Sequence, residues 1–249
     1  MNVFYRTILT LTLLGLTSIV QAGNSSGQSY YDYFVAGSTH NYGTPEFPST
    51  PGQPGVGLVN INSGTTLAFA ALKNHARPDI NGIYSLTHLP PPAWGHFDFK
   101  QVAGQEVYYG EWSNNDSHNA PTRVVYYSGN TAGRVLPIAN VTYAVQGISN
   151  YSGSNLLHGE LSASFGTAAP KLVGTLSNSN LTIQLAANIN TFDANFSGPA
   201  GVRNTNDGTL LSTGSTQGSF FGAGTNASLA GIAKFTNRDY DTAFGGVVK

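Results

Sequence analysis

The sequence predicts a mainly β protein, in which an irregular, β-rich N-terminal domain precedes a small eight-stranded antiparallel β-barrel. Three observations lead there. Apolar and polar residues alternate in short runs with almost no helical period, and 30 Gly and 12 Pro among 249 residues punctuate the runs. From about residue 135 onward the runs recur at roughly ten-residue spacing, the rhythm of hairpin-connected barrels and sandwiches. Hydrophobics at 40% and aromatics at 11% argue against disorder. Charged residues make up only 9%, against about 25% in ordinary soluble domains, so Ser, Thr, Asn and Gly must wet the surface.

The elements follow in order. Met1 to Ala22 reads as a secretory signal peptide: Arg6 supplies the positive start, Ile8 to Val20 the apolar run, and Val20-Gln-Ala22 the small-residue cleavage site. The run is too short for a comfortable membrane span of about 20 residues. Residues 23–134 form the irregular N-terminal domain, with loops marked by Pro45, Pro48, Pro51 and Pro54 and by Pro90-Pro-Pro92. Thr65 to Arg77 fits one short helix stopped by Pro78, with Leu67, Ala71 and His75 on one face. Strands are expected at Glu106–Trp112 and Arg123–Tyr127. Residues 135–249 form the barrel, with strands at Val141–Gln146, Leu157–Ser164, Lys171–Leu176, Leu181–Ala187, Thr191–Ser197, Ser219–Phe221, Leu229–Thr236 and Ala243–Val248. Leu181, Ile183 and Leu185 share one face, and Phe192 and Phe196 are expected to share another.

Composition closes several functional classes. No dense basic stripe exists to release counterions from a nucleic acid, and the formal charge is -1. The chain has no cysteine, which removes disulfides, thiolate metal sites, cysteine nucleophiles and a lipidated N-terminal Cys. No serine stands with a histidine and an acid in a recognisable triad, and the carboxylates are scattered, so the chain is not expected to be an enzyme. Gly222-Ala-Gly-Thr-Asn-Ala227 imitates a dinucleotide fingerprint but leads into another strand, so it reads as a turn.

Histidine is the informative residue. Five of the six (His40, His75, His88, His96 and His118) precede the barrel, and only His158 lies within it. No zinc-like spacing occurs among them, whereas a haem needs only one or two imidazoles and a broad apolar slot. Tyr42, Phe47, Phe69, Tyr84, Trp94, Phe97 and Trp112 are interleaved with these histidines. Lys73, Arg77, Lys100 and Arg123 are the cations that could meet propionates. The same aromatics also suit the plain core of a small β domain.

Ser219-Phe-Phe-Gly-Ala-Gly-Thr-Asn-Ala-Ser-Leu-Ala-Gly-Ile-Ala233, closed by Ala243-Phe-Gly-Gly246, resembles the last hairpin of the barrel of transferrin-binding protein B and related surface proteins. Val107-Tyr-Tyr-Gly-Glu-Trp112, Val124-Val-Tyr-Tyr-Ser-Gly129 and Ala139-Asn-Val-Thr-Tyr143 resemble the strands that enter such a barrel. Many lipoproteins of that group carry a modified cysteine that this chain lacks. The chain is therefore most similar to the secreted hemophilin family of bacterial haem-binding proteins.

That resemblance implies a secreted hemophore, exported through the periplasm with help from a surface lipoprotein assembly modulator translocator. It also implies haem b as cofactor, histidine as axial ligand, and delivery to a TonB-dependent outer-membrane haem receptor for iron acquisition. The candidate ligands are His118, His75 and His40, with Tyr42, Phe69 and Trp112 as pocket residues. His118 leads because it lies in a polar loop between the two Tyr-rich strands. One of these histidines or two could hold the iron. The rival expectation is a non-enzymatic protein-binding or host-colonisation module built on the same barrel.

Overall fold

The computed structural model describes residues 23–30, 34–40, 42–43, 45–58, 66–87, 95–114 and 121–249. The expected signal peptide, His88, Trp94 and His118 lie outside them. Two sheets make the N-terminal half. One joins β1 (Asn24–Gln28), β5 (Tyr84–Leu86), β6 (His96–Gln101), β7 (Val107–Ser113) and β8 (Val124–Asn130) in the order β1-β8-β7-β6-β5. The other joins β2 (Phe34–Ser38), β3 (Pro54–Leu58) and β4 (Thr66–Ala68), and runs into α1 (Phe69–Leu72).

The five-stranded sheet is buried on both faces, so its middle strands are apolar or aromatic nearly throughout. Pleating sends successive side chains to opposite sides. Tyr108, Trp112, Val124 and Tyr126 face the three-stranded sheet and α1, where they join Phe34, Val56, Leu67, Phe69, Phe97 and Phe99. Their neighbours Val107, Tyr109, Val125 and Tyr127 face the barrel, against Ile148, Phe221, Ala230, Ile232 and Ala243.

The barrel closes through β9 (Val141–Ile148), β10 (Leu157–Ser164), β11 (Lys171–Ser177), β12 (Leu181–Asn190), β13 (Asn195–Asn204), β14 (Leu210–Phe221), β15 (Ser228–Phe235) and β16 (Thr242–Val248). Every pairing is antiparallel, and β16 returns to β9 with Ala243 opposite Ile148. The interior is filled by Tyr143, Leu161, Leu176, Ile183, Leu185, Phe196, Phe220 and Phe244, among others. Small residues on both facing surfaces, Gly245 of the barrel and Gly129 of the sheet, let the two dock closely. A Cβ at Gly245 would fall 2.6 Å from Tyr109 Cδ1, and one at Gly129 would fall 2.6 Å from Phe221 Cε1.

Two local expectations are corrected. The 65–77 helix is only the four-residue α1 followed by a single 3-10 turn, Lys73–His75. Leu67 belongs instead to β4, because Val56 of β3 offers it a cross-strand partner. The strand expected at Thr191–Ser197 begins at Asn195, after a turn in which Ala194 takes a positive φ of 50°. Phe192 therefore sits on that turn, 94% exposed, while Phe196 is buried. The 222–227 segment is a turn, with Gly222 and Gly224 at positive φ.

Candidate functional site

Strand directions divide the N-terminal half into two ends. Register pairs Phe34 with Leu58, Leu86 with Phe97, and Trp112 with Val124. Phe34 lies 5.3 Å from Trp112, 4.8 Å from Tyr126 and 6.4 Å from Phe97 by ring centroid, so it joins the same end of both sheets. The described residues that flank 31–33, 59–65, 88–94 and 115–120 all stand at this end. His88 and His118 belong to two of those segments.

This end is also rich in buried polar groups. His96, at the start of β6, is buried, and its Nε2 lies 2.7 Å from Oδ2 of fully buried Asp98. Ser85 donates to the other carboxylate oxygen at 2.5 Å. On the adjoining strands Glu111 pairs with Arg123 at 3.0 Å. The Glu111 carboxylate also accepts the backbone N–H groups of Asn150 at 2.9 Å and Tyr151 at 2.6 Å. Arg123 donates to the carbonyl of Asp241 at 2.9 Å and to that of Arg238. Burial pushes the Asp241 carboxyl above its usual range, against the opposing pull of a hydrogen bond from Phe235 N–H and of Arg123 and Arg238.

The opposite end holds the other two candidate ligands. His75 is exposed, donates through Nε2 to the Glu46 carbonyl at 3.1 Å, and lies 4.4 Å from the Phe47 ring. His40, just past β2, is exposed, and Tyr42 beyond it is 77% exposed. Along β2 the two ends are separated by about 13 Å, at roughly 3.3 Å per residue. The structure therefore brings His40 and His75 to one end of the clamp, and the strands flanking His118 to the other. Phe69 and Trp112 are both buried: Phe69 stacks on Tyr108 at 4.7 Å, and Trp112 packs on Phe34.

The expected cations are mostly engaged. Arg123 is buried in its contacts to Glu111 and the barrel, Lys100 donates to the Asn81 carbonyl, and Lys73 donates to Gln101 at 2.5 Å. Arg77 is exposed. Gly23-Asn-Ser-Ser-Gly27 has the G-x-S-x-G spacing of a nucleophile elbow. It forms the edge strand β1 instead, with Ser25 Oγ 2.6 Å from Ser219 Oγ.

Comparison with known families settles the kinship. Residues 17–124 match the model of the HphA N-terminal heme-binding domain, and residues 134–248 match that of the HphA C-terminal domain. The chain belongs to the HphA family, the hemophilins. The first half of this hemophilin is thus the family's haem-binding domain, and the barrel lies within the family's C-terminal domain. A crystal structure of the vaccine antigen Transferrin Binding Protein B, a double mutant from Haemophilus parasuis Hp5, is also similar. It aligns at 15% identity with a TM-score of 0.43, over 67% of this chain and 36% of that one.

The donor set of the hemophilin fits a haem: imidazoles are the soft ligands, and no thiolate competes. His96 is held by Asp98 in the way proteins orient an imidazole through a carboxylate. His96 is one of the five histidines before the barrel, and its spacing to the others does not mark it out. The signal available was the alternation His96-Phe-Asp-Phe99, which places His96 and Asp98 on one face of a strand. Arg238, which joins the barrel to this end, carried no local signal, because its partners lie more than 100 residues away.

Proposed function

We propose that this hemophilin is a secreted hemophore, without catalysis of its own, that takes up haem b through an axial histidine. The match of residues 17–124 to a haem-binding domain carries the reading. The expected domains, 1–22 as signal peptide, 23–134 as clamp and 135–249 as barrel, are kept as part of it. Delivery to a TonB-dependent outer-membrane receptor and export through a surface lipoprotein assembly modulator complete it.

His118 is the first ligand in this reading. Asn114 and Pro121, which flank it in the sequence, stand at the same end as the buried ring cluster of Phe34, Phe97, Trp112 and Tyr126. Bound haem supplies a ferric centre that accepts an imidazole nitrogen. Burying the faces of the macrocycle stabilises by about 25 cal/mol per Å² of apolar area removed from water. Trp112 would serve from beneath as a rigid support. His75, with its Nε2 already donating to Glu46, and His40 are the second and third candidates. Tyr42 and Phe69 would join a site at their end. The separation of the two ends favours ligands drawn from one end only.

Titration of the purified chain with hemin tests this directly. A saturable Soret band is expected at micromolar protein, shifted and weakened in His118→Ala and preserved in His75→Ala and His40→Ala. No saturable spectral change in the parent chain refutes haem carriage. An unaltered spectrum in His118→Ala with loss in His75→Ala moves the site to the other end.

A further inference from the structure

The face of the five-stranded sheet that docks on the barrel does not close completely. Beside the contact of Tyr109 with Gly245 a groove of about 360 Å³ remains, between β6, β7 and the turn that joins them on one side and β9, β10 and β16 on the other. Small-molecule pockets have roughly 300–1,000 Å³ and favour such junctions between two packed units. On the barrel wall Gly245, Gln146 and His158 form one cross-strand row, and Val247 and Ala144 lie in the next. Gln146 Nε2 lies 3.3 Å from His158 Nδ1, so these two polar groups satisfy each other at the rim. Gly245, Ala144 and Val247 keep the rest of that wall low and apolar, and Val102 and Ala103 continue it on the sheet side.

Two polar groups meet on the sheet wall. Lys100 and Tyr109 are direct cross-strand partners and both line the groove. Their side chains therefore leave the same face, with Cβ atoms about 5 Å apart. Tyr109 is 1% exposed, yet among the described residues its hydroxyl has no hydrogen-bond partner. The equally unpartnered hydroxyl of Tyr143 is sealed inside the barrel, whereas Tyr109 borders open space. Burial holds the Tyr109 proton well above the ordinary range, so the hydroxyl stays a donor. Lys100 donates to the Asn81 carbonyl, which occupies one of its three N–H bonds. Burial disfavours its charge, and only in part does Asp79 offset this. A carboxylate placed between the two would accept from both, and would restore a close counter-charge to the ammonium.

We infer that this groove binds a small aromatic carboxylate, its ring lying on Gly245, Ala144 and Val247 and its carboxylate held by Tyr109 and Lys100. A flat ring suits a wall without projecting side chains, and it loses little internal freedom on binding. The site is separate from the proposed haem site and does not depend on where haem binds. Its ligand spans the sheet and the barrel.

The test is titration of the full, haem-free chain with 2-naphthoate, followed by calorimetry and by amide NMR. One equivalent is expected to bind with a dissociation constant below about 1 mM. Amide shifts are expected at Val102, Ala144, Gln146 and Gly245, with Phe34 and Phe47 unmoved. Tyr109→Phe removes a hydroxyl that bonds nothing in the described protein, so its urea midpoint should equal the parent's while naphthoate binding weakens about tenfold. Lys100→Gln should weaken binding about as much and remove its dependence on salt. Uncharged 2-naphthamide should bind the parent and Lys100→Gln equally. Octanoate, the same carboxylate on a flexible chain, should bind about fivefold more weakly than 2-naphthoate. No saturation by 2-naphthoate, shifts confined to Phe34 or Phe47, or undiminished affinity in Tyr109→Phe overturns the site. Octanoate binding as tightly as 2-naphthoate overturns the aromatic assignment.

Discussion

Glu111 shows how much one side chain carries here. It is 2% exposed, pairs with Arg123, and accepts two backbone N–H groups from the loop after β9. Removing it takes from a buried guanidinium the only carboxylate within salt-bridge distance among the described residues, and from two backbone amides, one buried and one part-buried, their acceptor, so Glu111→Ala should cost about 3–5 kcal/mol in urea unfolding. The exposed pair Lys249–Glu160, at 2.6 Å but with side chains 55% and 56% exposed, belongs to the opposite regime, and Glu160→Ala should cost less than about 1 kcal/mol. Equal losses from the two variants would contradict the assignment of Glu111 as a tie between the halves. The sequence shows Glu111 merely as a polar residue inside Val107-Tyr-Tyr-Gly-Glu-Trp112. Its role depends on Arg123, Asn150 and Tyr151, which only the folded chain brings to it.

At the scale of elements, β7 and β8 concentrate tyrosines between two packed layers. Burial, with smaller contributions from the charges of Glu106 and Tyr84, pushes Tyr108 up to about 12. Burial and the hydrogen bond to Asp79 do the same for Tyr151. Tyr109 and Tyr126 lie higher still, chiefly through burial. These hydroxyls hold their protons more tightly folded than unfolded, so their contribution is fully present below the ordinary tyrosine value of 10.0 and declines as pH rises through about 12. In a chain whose exposed Tyr30 and Tyr42 are replaced by Phe, the tyrosinate absorbance of these buried residues should therefore appear together with loss of the fold in one alkaline step. Gradual ionisation with the sheet intact would contradict the burial of these strands. Legibility varies by element for related reasons. The barrel strands could be read because each has one wet face, as in Leu181-Thr-Ile-Gln-Leu185. β1 could not, since Asn-Ser-Ser-Gly-Gln pairs with β8 through backbone bonds that leave no apolar pattern. The extent of α1 is not legible, because Leu67, Ala71 and His75 satisfy a helical spacing that the pairing of β4 with β3 overrides.

Over the whole molecule, the five-stranded sheet is shared: one face belongs to the haem-binding half's own core, and the other is docked on the barrel. That docking brings the turn carrying Arg238 beside the end where the haem site is proposed. The family, the barrel and a set of histidines are legible in the sequence, but the sorting of those histidines into two ends is not, since it follows from strand direction. Backbone amide NMR of the labelled chain with and without ferric hemin tests the account most directly, because the paramagnetic iron broadens nearby resonances. Haem at the His118 end broadens Tyr30, Phe34, Gly95, Asn114 and Arg123 and leaves the signals of His40, Gln53 and His75 sharp. Broadening confined to His40, Gln53 and His75 would contradict it.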